Sequence, residues 1–347
     1  MKQYKIAALP GEGIGLEVVE ATLTILQAVA KKHSFQLQID YGLIGQQAFQ
    51  KYGSHFPQET AQICQESDGM LFGAVSKGGL LELRKEFDFF VNLRPVKVFS
   101  SLINHSSLKS DRLVGVDILF VRELVGGIYF GASARGEDVR GSYGYHTMQY
   151  YDWQIKRIAE VALKKAQQRR GLLTVAHKEN ALPYLPWTKL VAEVAASYPD
   201  VTVEPMLVDN LAMQLVINPQ HFDVILAGNL FGDILSDLGG ALVGSVGLLG
   251  SASLNQAGFG LYEPIHGTAP DIAGQNKANP LGTLASAIMM LEQWGEIKAV
   301  SCLQQAWDSI LTQGYRTHDL YNSHNTEILV DTQELVHLFE QEISDFQ

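Results

Sequence analysis

The sequence predicts an α/β fold built on a mostly parallel sheet. Short apolar runs at 5–9, 36–41, 69–74, 117–121, 172–176, 201–205 and 223–227 read as strands. Between them lie stretches of helical periodicity, such as 152–170, where Ile155, Ile158, Ala162, Leu163 and Ala166 form one apolar stripe that Gly171 ends. Strands alternating with helices imply crossover units and therefore parallel pairing.

The first strand, at 6–9, runs into Gly11-Glu12-Gly13-Ile14-Gly15-Leu16, and a helix follows with Val18, Val19, Leu23, Leu26 and Val29 on one face. Strand, glycine turn and helix are the setting of a dinucleotide cradle. That fingerprint requires G-x-G-x-x-G, because its third glycine lets helix and strand pack closely. Here the position is Leu16, and Asp40, spaced as a ribose-binding acid, is too little to rescue the match. The stretch reads as a glycine-rich turn. Further on, 126–150 is rich in Gly, Tyr and Ser and reads as a hairpin or extended arm. Residues 238–262 carry no charge, but their seven glycines make a buried, tightly turning segment a better reading than a membrane span.

A chain of 347 residues, 46% of them hydrophobic, is long enough for two cores. No linker or repeat separates them, so two domains would be interleaved. A net charge of −11 argues against nucleic acid or an anionic membrane as partner. Cys64 and Cys302 are too few for a disulfide framework and fit a reducing cytoplasm. The N-terminus lacks the apolar run of a signal peptide.

Several stretches hold groups suited to chemistry. Arg84 and Arg94 flank an aromatic segment and Arg122 follows VDILFV. Three guanidinium forks can grip the carboxylates of a small polyacid; each can equally be a solvated surface residue. In GNLFGDILSD, Asp233 and Asp237 are spaced i, i+4 and share a helix face. Two adjacent carboxylates repel unless a cation or shared proton intervenes, and oxygen ligands suit Mg²⁺ or Mn²⁺. The plainer reading makes Asp233 a helix cap. Asp209 is a third candidate ligand, or an N-cap. Lys178 ends a strand, where α/β sites gather, and is a candidate general base or a surface lysine. Tyr129 offers a phenolic proton, or packs in the hairpin. The long loop 263–280, with His266 and many free backbone N–H groups, suits a phosphate-bearing ligand, and Asn279 precedes Pro280 as a helix cap would.

Taken together, LPGEGIG, ELRKEFDFFVNLRP, VRELVGGIYFG, GNLFGDILSD and EPIHGTAPDIAG-x-x-x-ANP resemble, in that order, the β-decarboxylating dehydrogenase family of isopropylmalate, isocitrate, homoisocitrate and tartrate dehydrogenases. The match runs from residue 6 to about 293; the last fifty residues match weakly. The resemblance implies a two-domain α/β fold with a large mixed sheet, not a Rossmann fold. One domain would comprise 1–90 and 245–347 on the cofactor side. The other, 91–244, would carry substrate, metal and dimer contacts, with its arm at 126–150.

The resemblance further implies roles. Arg84, Arg94 and Arg122 would hold the malate carboxylates. Asp233 and Asp237, with Asp209 from a partner subunit, would bind Mg²⁺ or Mn²⁺. Lys178, also from the partner, would take the hydroxyl proton as hydride leaves for NAD⁺, and Tyr129 would help return a proton. A site shared in this way makes the enzyme a homodimer. Cofactor contacts would come from Ile14, Asn180, Glu263, His266, Gly267, Thr268, Ala269, Pro270, Asp271, Ile272 and Asn279, with Asp271 favouring NAD⁺ over NADP⁺.

Substrate choice would fall to Leu80, Leu81 and Ala181. Leu80 and Leu81 stand as an apolar wall where isocitrate enzymes carry polar residues, and burying an isopropyl group there stabilises by roughly 2 kcal/mol. The segment between Ala74 and Leu80 is shorter than in the isopropylmalate members, and Ala181 replaces a usual valine, which leaves room for a bulkier group such as benzyl. The expectation is oxidation and decarboxylation of 3-isopropylmalate. Another substituted malate, malate or tartrate, and a non-catalytic regulatory subunit are the alternatives.

Overall fold

A computed structural model describes residues 2–346, which form two compact units. The first comprises the chain up to Phe87, Phe99–Ser107 and the chain from Val243 on; the second comprises Asp88–Val98 and Leu108–Leu242.

The first unit opens with β1 (Lys2–Gly11), α1 (Gly15–Lys32), β2 (Phe35–Tyr41), α2 (Gln46–Tyr52), α3 (Gln58–Gln65), β3 (Gly69–Ala74) and α4 (Leu80–Glu86). The apolar stripe of α1 is buried as its period requires, with Glu17 in the first turn and Lys31 and Lys32 in the last, both favourable to the helix dipole. Ile6–Leu9 of β1 and all of β3 are buried, the continuous apolar pattern of parallel strands covered on both faces.

The glycines of GEGIG are explained by crowding. Gly11 and Gly13 have φ of 71° and 59°, and a Cβ would lie 2.1 Å from the Ala74 carbonyl oxygen or 1.9 Å from that of Thr268. Glu12 N–H donates to Ala74 O (2.7 Å) and Ile14 N–H to Thr268 O (2.9 Å). The loop is a brace between two other backbone segments, and only glycine fits it.

In the second unit follow β4 (Val91–Lys97), β5 (Asp117–Glu123), β6 (Ser133–Asp138), β7 (Gly141–His146), α5 (Asp152–Gln167), β8 (Leu172–His177), α6 (Trp187–Ala195), β9 (Thr202–Leu207), α7 (Val208–Ile217), β10 (Val224–Ala227) and α8 (Asn229–Val243). The chain then returns to the first unit with β11 (Gly250–Leu254), β12 (Gly260–Pro264), α9 (Leu281–Gln293), α10 (Ile297–Thr312) and α11 (Thr332–Asp345). Among the described residues no helix is long and apolar enough to cross a membrane.

Strand order is β2-β1-β3-β12-β11 in the first unit and β4-β5-β10-β8-β9 in the second. Most pairs are parallel, but β11·β12 and β4·β5 are antiparallel, so the sheet is mixed. This agrees with the mostly parallel sheet read from periodicity and with the mixed sheet that the resemblance implies; the two antiparallel pairs themselves were not read. The strands involved carried no clear signal: β4 is buried from Val91 to Arg94 and shows no alternation, and β11 is made largely of glycine, serine and alanine. Segment 126–150 does contain a hairpin, β6 paired antiparallel with β7 and exposed along its length.

Candidate active site

The β4·β5 ladder sets the first group of side chains. Asn92 lies opposite Arg122, and Arg94 is two residues on, so all three share one face. On α8, Asp233, Ser236 and Asp237 fall at i, i+3 and i+4, again one face. These two faces meet. Arg94 donates from Nε to Asn92 Oδ1 (2.8 Å) and from Nη1 to Ser236 Oγ (2.8 Å) and Asp237 Oδ1 (3.1 Å), while its Nη2 is 3.3 Å from Asp233 Oδ1. Arg122 sends Nε and Nη2 to Asn229 Oδ1 (3.0 and 2.7 Å) and Nη1 to Asp233 Oδ1. Gly232 makes room for this: a Cβ there would lie 2.8 Å from Arg122 Cγ.

Tyr129 sits in a short 3₁₀ turn, Gly127–Tyr129, rather than packing inside the hairpin. Its hydroxyl donates to Asp233 Oδ2 at 3.0 Å. Partial burial and then the charge of Asp233 push the phenol above its ordinary range, so it stays protonated and remains a donor. Asp233 is not a cap, since α8 begins four residues earlier; it is the acceptor on which both arginines and the tyrosine converge. Asp237 is more open and its carboxyl is raised, by partial desolvation first and by Asp233 in addition, with Arg94 and Arg122 opposing.

Lys178 follows β8 and donates to Asp209 Oδ1 at 2.9 Å; that bond depresses the Asp209 carboxyl. Asp209 lies inside the first turn of α7, where Leu207 holds the cap position, so the N-cap reading is corrected. Lys178 also lines an apolar crevice with Tyr150, Leu182, Trp187 and Leu230. In the turn that follows, Asn180 and Ala181 are exposed, and Ala181 N–H donates to Lys178 O (3.0 Å).

Asp233 and Asp237 fit a hard divalent cation by the chemistry of their donors: two carboxylates one helical turn apart, whose mutual repulsion a cation relieves. Two acids now balance two guanidinium groups; a dication entering together with a dianionic substrate would keep that balance and free the arginines for the substrate's carboxylates. Among the described residues no group of three potential ligands assembles within one chain, so Asp209 does not join the pair there.

The remaining expected residues belong to the first unit. Arg84 is buried and donates from Nη2 to Glu263 Oε1 at 2.6 Å, so a candidate substrate residue and a candidate cofactor residue hold each other. Arg84 Nε is buried without a hydrogen bond. Leu80 and Leu81 stand one turn before Arg84 on α4, Leu80 half-buried and Leu81 46% exposed.

After Glu263 the chain enters the long loop. His266 Nδ1 bonds Gly267 O (2.9 Å), its Nε2 is buried without a partner, and burial lowers its pKa, so the ring is neutral. Gly267 and Pro270 are exposed, and Asp271 presents an open carboxylate. The other expected contacts are partly committed elsewhere. Ile14 is buried with Val18 and Ala278, and Ala269, Ile272 and Ala273 pack on that cluster, so the Ile14 side chain serves the core beneath the loop. Thr268 gives its carbonyl to Ile14. Helix α9 starts at Leu281 with Pro280 at the cap position, one residue later than expected; Asn279 Oδ1 accepts from Leu281 N–H (3.0 Å) and its amide donates to Asp319 Oδ2 (3.0 Å).

Some participants had gone unread. Asn92 and Ser236 were in principle legible, at i−2 from Arg94 on a strand and i+3 from Asp233 on a helix. Glu123 and Tyr150 gave no local signal. Glu123 is wholly buried and accepts from Val125 N–H (3.2 Å) and Gly126 N–H (2.8 Å); burial raises its pKa to about 7. The Tyr150 hydroxyl accepts from Asn229 N–H (2.7 Å), and Asn229 Nδ2 donates to the Leu124 and Gly126 carbonyls. Asn229 thus ties Arg122 to the turn that Glu123 shapes.

A family model described as isocitrate/isopropylmalate dehydrogenase matches residues 5–338. The chain belongs to the isocitrate/isopropylmalate dehydrogenase family. It is a β-decarboxylating dehydrogenase by that membership. Among its relatives within the family, the 3-isopropylmalate dehydrogenase of Carboxydothermus hydrogenoformans is 44% identical over 98% of this chain and 95% of the relative. That of Aquifex aeolicus is 44% identical over 93% of each. Solved structures agree: the isocitrate dehydrogenase of Methylococcus capsulatus superposes with a TM-score of 0.88 at 29% identity, covering 98% of this chain and 99% of that one. A beta-decarboxylating dehydrogenase from Thermococcus kodakarensis gives 0.80 at 33% identity, over 99% and 96%.

Proposed function

We propose that the chain catalyses NAD-dependent oxidative decarboxylation of (2R,3S)-3-isopropylmalate to 2-oxo-4-methylpentanoate, a step of leucine biosynthesis in the cytoplasm. The observation that carries this reading is the pairing of a malate-gripping arginine with an apolar wall: Leu80 and Leu81 open α4 at i−4 and i−3 from the buried Arg84, and so lie on its side of the helix. A second carboxylate, as in isocitrate, would be stranded against those leucines at considerable cost. Relatives named 3-isopropylmalate dehydrogenase at 43–45% identity support the same choice.

Asp233 and Asp237 would hold the divalent ion, which would supply Lewis-acid polarisation of the substrate's hydroxyl, and NAD⁺ would supply a hydride acceptor. The chain's own residues do the rest. Arg94 and Arg122, fixed by Asn92 and Asn229, orient the carboxylates. Lys178, which must act as the neutral amine, takes the C2 hydroxyl proton. Tyr129, held protonated beside Asp233, delivers a proton to C3 once CO₂ has left. Lys178 and Asp209 form a pair of their own, and the exposed Met213, Val216 and Ile217 of α7 and Ile234 of α8 offer an apolar surface, so we assign a homodimer in which Lys178 and Asp209 serve the partner's site.

A second substrate is favoured by one feature. Ala181 is small and exposed beside Lys178, which leaves space for a 3-benzyl group. Comparing kcat/KM on 3-isopropylmalate, 3-benzylmalate, malate, tartrate and isocitrate, with NAD⁺ or NADP⁺ and with or without EDTA, tests both readings. Best turnover on isocitrate would overturn the wall argument. Lys178→Ala should cut kcat by about 10²–10⁴; undiminished turnover would remove Lys178 from the mechanism.

A further inference from the structure

Glu12 is the one charged residue of the GEGIG loop, and its half-buried carboxylate is fully engaged. Oε1 accepts from Gln46 N–H at 2.7 Å, and Oε2 accepts from Ser76 N–H at 3.2 Å and from the Ser76 hydroxyl. Ser76 lies in the shortened segment between β3 and α4, three residues before Gly79, whose N–H is capped by Glu82 (2.9 Å). Glu12 therefore holds the stem of the helix that carries Leu80, Leu81 and Arg84. On its other side the same loop holds Thr268 through Ile14 N–H and through the close approach of Gly13. The Arg84–Glu263 pair closes the ring, since Glu263 is the last residue but one of β12, just before His266 and Thr268. Within the first unit, the loop 266–268 and the helix α4 are thus connected twice, once through an ion pair and once through Glu12.

We infer that Glu12 is a positioning residue that couples the 266–268 loop to the α4 wall, so that cofactor binding and discrimination of the 3-substituent depend on each other. The inference rests on the proposed function for its choice of ligands. A carboxylate is required because three donors converge on two oxygens, and charge-assisted bonds to backbone N–H are the strong kind. Glutamine offers one acceptor where two are used, and alanine offers none.

The test compares wild type with Glu12→Ala, Glu12→Gln and the milder Ser76→Ala. NADH affinity is measured by fluorescence with and without 3-isopropylmalate, kcat/KM is compared for 3-isopropylmalate against malate, and amide exchange is followed at 45–47, 74–79 and 266–269. In wild type the two ligands should alter each other's affinity about fivefold or more, the lower end of ordinary coupling between sites. In Glu12→Ala that factor should approach one, the preference for the isopropyl group should fall, and exchange should quicken in all three segments while kcat stays within about threefold. Ser76→Ala should show the same pattern more weakly. Unchanged coupling and unchanged exchange at 266–269 in all three variants overturn the inference. If wild type neither binds NADH nor turns over 3-isopropylmalate, the functional reading has failed, and exchange at 74–79 and 266–269 alone still decides whether Glu12 links the two segments.

Discussion

Arg84 Nη2 lies 2.6 Å from Glu263 Oε1, with both side chains more than nine-tenths buried. A charged pair this dry holds α4 against the end of β12, and it holds Arg84 in one orientation with Nε still unbonded. Removing one partner leaves the other buried and uncompensated, which costs about 3–5 kcal/mol. Glu263→Ala should therefore lower the calorimetric melting temperature and raise KM for the dicarboxylate. Glu263→Gln, whose carbonyl still accepts from Arg84, should do both to a smaller degree. Equal melting temperatures for wild type and Glu263→Ala would show that the pair contributes no net stability.

Asp233 accepts from Arg94, Arg122 and Tyr129 at once. Asp233→Asn preserves the shape but leaves an excess positive charge and a weaker cation ligand. Mn²⁺ affinity measured by calorimetry, and kcat/KM at saturating Mn²⁺, should both fall by more than the roughly 10–100-fold that loss of a group merely supporting a ligand costs. Asp237→Asn, at the more open position, should fall less. Retained Mn²⁺ affinity in Asp233→Asn would move the cation elsewhere.

Asp271 presents an exposed carboxylate, whereas Ile272 packs on the Ile14–Val18–Ala278 cluster. The two halves of a cofactor switch should therefore separate. Asp271→Lys alone should weaken use of NAD⁺ and improve use of NADP⁺, read as the ratio of kcat/KM values. Adding Ile272→Tyr should strengthen the switch but lower the melting temperature, because a tyrosine overfills that cluster. No change of preference in the double variant would remove Asp271 from the cofactor site.

Glu123 is wholly buried, and desolvation raises its carboxyl to about 7. A raised carboxyl binds a proton more tightly in the folded chain than in the unfolded one. Its contribution to stability is present below the ordinary carboxylate range and is lost as pH rises towards 7. Glu123→Gln, which does not titrate, removes that slope. The stability of wild type minus that of the variant, from urea midpoints, should fall between pH 4.5 and 7.5 by about 3 kcal/mol, at about 1.4 kcal/mol per pH unit over the shift. A flat or rising difference would show that Glu123 is ionised in the folded state at low pH.

Much of the fold was written in local periodicity. The stripes of α1 and α5 and the buried runs of β1, β3, β8 and β10 can be read from residue spacing because each element must bury one face whatever its neighbours are. The antiparallel strands β4 and β11 were not visible in this way. One is buried throughout and the other is too small-sided to alternate, so their pairing depends on partners distant in sequence. Among site residues, Asp233 and Asp237 were recognisable as a pair because one helical turn separates them. Asn279 was recognisable as a capping group, but its bond to Asp319 was not, since the two stand 40 positions apart in the chain.

By itself the sequence determined the amphipathic helices and the parallel strands that bury a continuous apolar run, that two carboxylates share a helix face, and that GEGIG cannot cradle a pyrophosphate in the Rossmann manner. Spacing along a chain dictates these, because backbone geometry has fixed periods. Only the tertiary structure decided that both Arg94 and Arg122 spend their charge on Asp233, that Arg84 is locked by Glu263, and that Glu12 ties two distant loops together. Those pairings depend on desolvation and on distance in three dimensions, and neither quantity is encoded in the spacing of residues along the chain.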